Sequence, residues 1–190
     1  HYSYTVVAHI RNASRYIRRK DVSQAVLEVY QMPEYNTGIS ERPVIVGFGP
    51  SGMYAGLLLA ECGYRPIIIE RGRRVEEREK DVDAFFQKGI LLPSSNVQFG
   101  EGGAGTFSDG KLTTRIRNIR IRKVLEEFVE AGAEPAIVYQ HRPHIGTDVL
   151  RTIVRSIREK IISLGGEIHF ETTLLSLQIK GGRIEGIVTD

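Results

Sequence analysis

The chain has very little cysteine and no recognisable cluster of metal ligands, so neither disulfides nor a bound metal is expected to hold it together. It has one cysteine, Cys62, among its 190 residues, so no disulfide can form within it. Small apolar neighbours indicate that Cys62 is a core residue, with a redox thiol as the less favoured alternative, and no paired-cysteine motif supports a disulfide reductase. The five histidines show no clustering with metal-ligand spacing, and no metal is predicted.

Long hydrophobic runs are also missing. The apolar run from Met53 to Ala60 is far shorter than the roughly 20 residues that cross a bilayer. No signal peptide is recognisable at the N-terminus. We therefore expect a cytoplasmic protein with no membrane partner.

Charge and composition indicate a folded domain. There are 26 basic and 23 acidic residues, which gives a net charge of +3. A charge this small does not by itself indicate nucleic-acid binding. The hydrophobic fraction of 41% is enough for one buried core, and the 20 glycines are many for a compact domain. The expected partner is a small molecule, either a substrate or an electron acceptor, and a nucleic acid is not favoured.

The chain is expected to be an excerpt, truncated at its C-terminus, because it lacks an initiator methionine and stops directly after a strand-like run. Residues 1–41 are predicted to be a small separate element that ends in a polar linker, with a strand over 2–10. The basic stretch 11–20 is interpreted as a solvated helix face, with a phosphate-binding face as the alternative. Residues 42–190 are predicted to form an incomplete α/β domain.

The most informative segment runs from a buried strand at Val44 through a glycine turn to a helix and a second strand. Gly47 permits the tight turn, Gly49 leaves room for a pyrophosphate, and Gly52 lets the helix lie close to the strand. Amide groups at the helix start then face the phosphates. Glu70 ends the second strand, where a carboxylate accepts hydrogen bonds from a ribose. Together these elements predict a dinucleotide site.

The identity of the dinucleotide stays open at this point. Glu70 would repel a ribose 2′-phosphate, which argues against NADP, although Arg71, Arg73 and Arg74 partly offset that repulsion. FAD and NAD both remain, and a purely structural glycine turn is the disfavoured alternative.

A second glycine cluster occupies residues 100–111. Its glycines expose backbone amides, which suits a phosphate or the polar edge of a cofactor ring. Ser108, Asp109 and Lys111 add a hydroxyl, a carboxylate and an ammonium group. A cofactor-binding segment is favoured over a flexible loop.

The remaining segments predict three helices and a hairpin. One exposed helix follows Glu70, with a Glu76–Lys80 pair and with Val82, Phe85 and Phe86 as anchors. A second spans Ile121 to Val129, and a third begins at a Thr147–Asp148 cap and ends at Gly165–Gly166. A strand over 167–171 and a hairpin around 180–182 complete the pattern.

Two further features have competing interpretations. The basic residues 115–123 lack interleaved aromatics, so a solvated face is favoured over a surface for a phosphate, an acidic substrate or RNA. His144 has the pKa range for proton transfer, but a structural role in its loop is favoured because no partner is visible in the sequence.

Several strings carry a resemblance to a known family. ERPVIVGFGPSGMYAGLLLAECGYRPIIIERG, NVQFGEGGAGTFSDGKLTTR, RPHIGTD and GGEIHF together closely resemble the uncharacterised bacterial FAD-dependent dehydrogenases. These belong to the glutathione-reductase-type flavoproteins with two dinucleotide-binding domains. The resemblance covers residues 42–190 and implies a Rossmann-like FAD-binding fold with a central parallel sheet that is interrupted by insertions. It also implies that residues 1–41 are the end of the family's small N-terminal domain with its linker.

The resemblance also implies site residues. Gly47, Gly49, Pro50, Ser51 and Gly52 would hold the FAD pyrophosphate, Glu70 with Arg71 the adenosine ribose, and Leu174 the adenine through its backbone. The segment formed by Gly102, Gly103, Ala104, Gly105, Thr106 and Phe107 would run near the flavin.

We therefore expect an FAD-dependent oxidoreductase of unknown substrate, with NAD(P)H as a candidate electron donor. Lys111 and Asp109 are the expected groups near the reactive ring, Lys111 because a cation stabilises the reduced, anionic flavin. His144 is the third candidate catalytic residue. The alternatives are an NAD(P)-binding oxidoreductase domain, an RNA-modifying flavoprotein and a non-catalytic flavin-binding scaffold.

Overall fold

The computed structural model describes residues 5–26, 29–34 and 40–190, and it divides into two units, His1–Tyr30 and Gln31–Asp190. In the described part of the first unit the one regular element is a 3-10 turn, Ala13–Arg15, whose residues are all exposed. The predicted strand over 2–10 is wrong from residue 5 onward, because no described segment pairs with residues 5–10; residues 2–4 lie outside the described residues. The predicted basic helix is likewise reduced to that turn. The division at residue 41 stays a prediction.

The second unit is built on a three-stranded parallel sheet. Strand β2 (Ile67–Ile69) lies between β1 (Val44–Val46) and β3 (Glu167–His169). Val44 pairs with Ile67, and Ile67 pairs with Glu167. The predicted α/β class with a central parallel sheet is confirmed. The third strand ends at His169 instead of residue 171, because Glu171 adopts a left-handed φ of 52°.

Helix α1 (Pro50–Glu61) lies close to the sheet. Proline at its first position suits a helix start, since that residue needs no amide hydrogen bond there. Its buried residues recur at helical spacing: Met53, Gly56, Leu57 and Ala60. A side chain at Gly56 would place its Cβ 2.5 Å from Ile68 Cδ1, so the glycine lets the helix approach β2.

The other elements are three helices, two 3-10 segments and a hairpin. They are α2 (Val75–Lys88), a 3-10 segment at Gly103–Phe107, α3 (Arg120–Glu130), a 3-10 segment at Pro135–Val138, α4 (Thr147–Ser163), β4 (Leu174–Lys180) and β5 (Arg183–Thr189). The three predicted helices and the hairpin are confirmed. Helix α4 packs against α1 and buries Ile153, Ile157 and Ile161 in one core with Phe48 and Leu57.

Three local predictions are wrong. The N-cap of α4 is Gly146, because the Thr147 hydroxyl instead donates to the Ser108 carbonyl at 2.7 Å. Glu76 pairs with Arg155 and Arg158 of α4 instead of Lys80, because α4 packs against this face of α2. Phe86 does not anchor α2, since its side chain is 73% exposed.

An ion network joins three helices on the other side of α4. Lys160 contacts Glu61 of α1 at 2.7 Å and Glu127 of α3 at 2.9 Å. Lys123 contacts both of the same carboxylates, Glu61 at 3.1 Å. Burial lowers the pKa of Lys160, but its hydrogen bonds to Glu61 and Glu127 outweigh that effect and raise it overall. Lys123 is therefore part of the fold and not of a free basic surface.

Glu101 is fully buried between α2 and α4. Its Oε2 accepts hydrogen bonds from Val75 N at 2.7 Å and from Arg158 Nη1 at 2.6 Å, while Oε1 has no partner among the described residues. Burial raises the pKa of Glu101 to about 7, against the opposing effects of the Val75 amide and Arg158.

This raised pKa predicts a pH-dependent stability. An acid whose pKa is higher in the folded state than its usual 4.5 binds more protons when folded, so the free energy of unfolding falls as pH rises from 4.5 to about 7. The slope is at most about 1.4 kcal/mol per pH unit for one proton. Glu101→Gln should flatten it, as measured by urea unfolding at several pH values.

The matched control is Glu126→Gln, at an exposed carboxylate that pairs with Arg122 on the surface of α3. That variant should keep the parent slope. A Glu101→Gln chain with the full parental pH dependence would contradict the assignment.

Candidate dinucleotide site

A pocket of about 470 Å³ lies at the carboxyl ends of β1 and β2. This is where ligands bind in open parallel sheets. It brings together six of the predicted cofactor residues, namely Gly47, Gly49, Glu70, Arg71, Gly103 and Leu174. The structure therefore gathers residues from four separate parts of the sequence around one cavity.

The first glycine turn leaves backbone uncovered. Gly47 has a φ of 94°, which favours glycine, and a Cβ on Gly52 would lie 1.9 Å from the Gly47 carbonyl oxygen. Gly49 is the N-cap of α1, and no side chain caps this helix end. The first amides of α1 beside Pro50 and Ser51 are thus available to an anion, which the helix dipole also favours.

The second glycine segment packs directly on the first. Gly102 N donates to the Phe48 carbonyl at 2.8 Å. A Cβ on Gly103 would lie 3.2 Å from Pro50 Cδ and 3.4 Å from Gly49 Cα. Gly102 and Gly103 both have positive φ values, 76° and 64°. The contact is therefore backbone against backbone.

Arg78 holds the second segment in place, and sequence reasoning missed it. Its guanidinium is fully buried and donates to the carbonyls of Asn96 at 2.9 Å, Val97 at 3.2 Å and Gly103 at 3.1 Å, and also to Glu101 O. Burial lowers the pKa of Arg78 to about 10, so it stays charged at neutral pH. The available signal was its spacing of three from Val75 and four from Val82, which places it on the buried face of α2.

The later residues of the second segment mostly contact protein. Thr106 is buried, and its hydroxyl donates to the Glu101 carbonyl at 3.1 Å. The guanidinium carbons of Arg78 and Arg151 lie 4.8 Å and 5.2 Å from the centre of the Phe107 ring. Ala104 and Gly105 are exposed and lie outside the pocket lining.

Glu70 is tied to the first turn as well as to the pocket. Its Oε2 accepts from Phe48 N at 2.7 Å, and its Oε1 accepts from Gly72 N at 2.8 Å. Each carboxylate oxygen can accept a second hydrogen bond, which leaves capacity for ribose hydroxyls. The carboxylate therefore has a structural role that the sequence did not reveal, and its role toward a ribose stays a prediction.

The pocket wall also contains Gly100, the first residue of the second glycine cluster, and four residues that sequence reasoning did not select: Gln98, Phe99, Thr172 and Thr173. The Arg71 guanidinium carbon lies 3.8 Å from the centre of the Phe99 ring, a cation–π contact at the edge of the cavity. Glu171, next to Thr172, pairs with Arg73 at 3.1 Å. Gln98 and Phe99 lie inside the NVQFGEGG string, which gave no reason to assign them to the pocket, and Thr172 and Thr173 belong to no motif and approach the turn only through the fold.

The three candidate catalytic residues form a separate cluster. Lys111 and Asp109 pair at 2.7 Å with largely exposed side chains, and a backbone bridge joins Lys111 to His144. The side-chain hydrogen bond from Lys111 lowers the pKa of Asp109, and the same bond raises the pKa of Lys111. None of the three lines the pocket. The structure thus gives His144 the neighbours that the sequence left unidentified.

The residues present fit an extended dinucleotide. The cradle at Gly49 is open, since a Cβ there would meet nothing nearer than Gly103 Cα at 4.0 Å. A helix start without a side-chain cap faces it, and one buried carboxylate lies beside it. Such an arrangement can bind a diphosphate through backbone amides and a sugar through Glu70.

The residues that the structure describes contain neither a cluster of candidate metal ligands nor a candidate membrane-spanning helix. Among them, no three His, Cys, Asp or Glu side chains are grouped closely enough to hold a metal ion. Within the same residues, no helix is both long and apolar enough to cross a membrane.

One relative by sequence is an uncharacterized protein of Clostridium beijerinckii. It is 47% identical to this chain over 175 residues, which are 92% of this chain and 33% of the relative. The chain thus spans about a third of the length of the relative that it matches. No family model matches the chain.

Solved structures give weaker likenesses. Thermovibrio ammonificans THI4 is 23% identical with a TM-score of 0.46, over 78% of this chain and 47% of that one. The 3-ketosteroid-delta4-(5alpha)-dehydrogenase of Rhodococcus jostii RHA1 is 14% identical with a TM-score of 0.45, over 84% of this chain and 45% of that one. Likenesses this low assign no activity to the chain.

The hydrogen bonds of Glu70 predict that it stabilises the fold without any ligand. Glu70→Gln replaces one acceptor by an amide donor, which would face a backbone N–H. We expect the free energy of unfolding of the cofactor-free chain to fall by about 1–3 kcal/mol in urea. Glu171→Gln, at an exposed carboxylate on the same side of the sheet, is the control and should cost less. Equal stability of the Glu70 variant and the parent would restrict Glu70 to ligand binding.

Proposed function

We propose that this chain is the FAD-binding part of an oxidoreductase that passes hydride or electrons through the flavin. The observation that carries the proposal is the pocket where both glycine segments present uncovered backbone, at Gly49 and Gly103, next to the buried carboxylate of Glu70. When bound, the flavin ring supplies the redox chemistry, and the protein supplies its position and electrostatics.

The second glycine segment is the reason to prefer FAD to NAD. A single glycine turn is enough for the pyrophosphate of either cofactor. Here the Gly102 amide donates a hydrogen bond to the Phe48 carbonyl, so the uncovered backbone of the first glycine turn continues into that of the second glycine segment. A longer cradle suits a cofactor bound in an extended conformation. In this proposal Leu174 contacts the adenine and Arg71 the ribose side of the cavity.

The cluster of Asp109, Lys111 and His144 is proposed to hold or move protons for the substrate. Lys111 remains protonated because the Asp109 carboxylate raises its pKa. The imidazole of His144 is exposed and lies across the backbone bridge from this ion pair. NAD(P)H is the proposed electron donor. No specific observation favours the RNA-modifying flavoprotein or the non-catalytic scaffold.

Flavin content and flavin reduction test the proposal directly. The purified full-length protein should carry FAD, identified by its absorbance spectrum and by chromatography of the released cofactor. Anaerobic mixing with NADH or NADPH should bleach the flavin band. A colourless protein that binds NAD would replace FAD by NAD, and a flavin that no common donor reduces would favour the scaffold.

Gly49→Val should abolish flavin retention while leaving the fold intact. Gly49 has an ordinary φ of −75°, and a Cβ would meet no atom nearer than 4.0 Å, so the chain accepts the substitution. The branched side chain would instead fill the space of the pyrophosphate. Flavin per protein should fall at least about tenfold, because a close backbone approach to the phosphate is lost. Absorbance and far-UV circular dichroism measure both properties.

The matched control is Ala55→Val, which adds the same branching to an exposed position of α1 outside the pocket. It should retain parental flavin content. Full flavin content in the Gly49 variant would mean that the diphosphate lies elsewhere.

A further inference from the structure

A second, larger cleft lies apart from the glycine pocket. It is open to solvent, encloses about 1050 Å³ and shares no lining residue with that pocket. Its walls are the loop before α3, the first half of α3, the 3-10 segment Pro135–Val138 and the loop that follows. Nothing in the proposed flavin chemistry accounts for it.

The floor of the cleft is apolar and is held by the core. It consists of Leu112, Ile121, Val124, Leu125, Ile137 and Val138. The hydroxyl of Tyr54 on α1 donates to the Val124 carbonyl at 3.1 Å, which fixes this part of α3 to the first helix. Burial raises the pKa of Tyr54, so the hydroxyl keeps its proton. The floor is therefore preformed and does not depend on a ligand to assemble it.

The rim of the cleft is basic and unpaired. Arg115, Arg120 and Arg142 line it, and the described residues place no carboxylate within 4.0 Å of any of them. The lining contains no Asp or Glu. The neighbouring cations of α3 are different, because Arg122 pairs with Glu126 and Lys123 pairs with Glu127. Among the described residues, the cations on the helix beside the cleft are therefore neutralised, while the three arginines that line it have no carboxylate partner.

The backbone at the rim supports a binding role. Arg142 has a left-handed φ of 60°, an uncommon conformation for a residue with a side chain. Such conformations are retained where the surroundings hold them, often at ligand sites. Leu112 N donates to the Pro143 carbonyl at 2.9 Å, so the loop that carries Arg142 is fixed to the loop before α3.

We propose that this cleft binds a small organic carboxylate with an aliphatic or alicyclic body. The apolar floor would bury the body, and the arginine rim would receive the carboxylate, which guanidinium groups bind through paired hydrogen bonds. The cleft lies directly beside the Lys111–His144 bridge, because Leu112 and Pro143 are the next residues of the same two segments. The binding itself does not depend on a flavin.

RNA does not fit the same features. Proteins that bind single strands stack bases on aromatic side chains, and the described lining contains no Phe, Tyr or Trp. A concave floor also favours a compact ligand over a lipid surface. An anionic membrane is retained below as an outcome of the test.

The test uses the full chain with a tryptophan reporter. The chain contains no tryptophan, and Tyr139, between the lining residues Val138 and Gln140, is 80% exposed, so Tyr139→Trp gives a local signal. Decanoate is the probe, and uncharged decan-1-ol is its matched control. Decanoate should shift the reporter emission to shorter wavelength at saturation, and decan-1-ol should bind at least about fivefold more weakly. The chain without the reporter supplies the background.

Variants then separate the rim from general hydrophobic binding. Arg120→Gln and Arg142→Gln, each in the reporter chain, should weaken decanoate binding about fivefold or more. Arg117→Gln removes an exposed arginine of the same loop that does not line the cleft and that pairs with no carboxylate of the described residues, and it should leave decanoate affinity unchanged. Shortening the probe to octanoate and hexanoate should lower affinity about threefold to fourfold per CH₂ removed.

Three results would overturn the proposal. Equal affinity for decanoate and decan-1-ol would mean that the rim does not select an anion. Equal losses in the Arg117, Arg120 and Arg142 variants would mean that net charge and not the cleft is responsible. Co-sedimentation with phosphatidylglycerol vesicles, lost in the Arg120 and Arg142 variants, without a decanoate response, would reassign the arginines to a membrane surface.

Discussion

The structure depends on one buried guanidinium. Arg78 extends from α2 beneath the second glycine segment and gathers the carbonyls of residues 96, 97, 101 and 103. Burying a charge is costly unless its hydrogen bonds are replaced, and here main-chain oxygens replace them. In return, a stretch rich in glycine, which would otherwise be conformationally free, acquires one conformation. That conformation brings Gly103 against Gly49 and makes the pocket wall.

The charges around Arg78 belong to the same arrangement. Glu101 directs its main-chain oxygen to Arg78 and its carboxylate to Arg158, which in turn pairs with Glu76. Arg158 on α4 thereby connects the second glycine segment to both long helices beside it. These ionic groups lie outside the pocket lining, which combines four glycines with Arg71 and with Glu70 as its buried carboxylate. A diphosphate fits such a surface through amides and not through a basic side chain.

Local sequence was sufficient for β1, the glycine turn, α1 and β2. Their signals are periodicity and glycine spacing, which act over a few residues, and Glu70 follows from its place at the end of β2. Local sequence was not sufficient where two interacting residues lie far apart along the chain. Glu101 meets Arg158 across 57 positions, and Arg151 meets Glu79 across 72, so neither pair has a motif. The Thr147 cap failed for the same reason, since its hydroxyl binds Ser108 across 39 positions.

The two cavities are connected by one continuous stretch of chain. The 3-10 segment Gly103–Phe107 begins at the glycine pocket, Asp109 and Lys111 follow it, and Leu112 opens the wall of the cleft. A parallel connection comes from the loop before α4, because Ile145 N donates to the Gly110 carbonyl and a Cβ on Gly110 would lie 2.7 Å from Gly146 N. The second glycine segment, the Lys111–His144 bridge and the edge of the cleft are therefore joined by short stretches of chain and by backbone hydrogen bonds. A redox group at one cavity and an acid at the other would thus be separated by one short stretch of chain, residues 103–112, which carries Asp109 and Lys111 of the ionisable cluster.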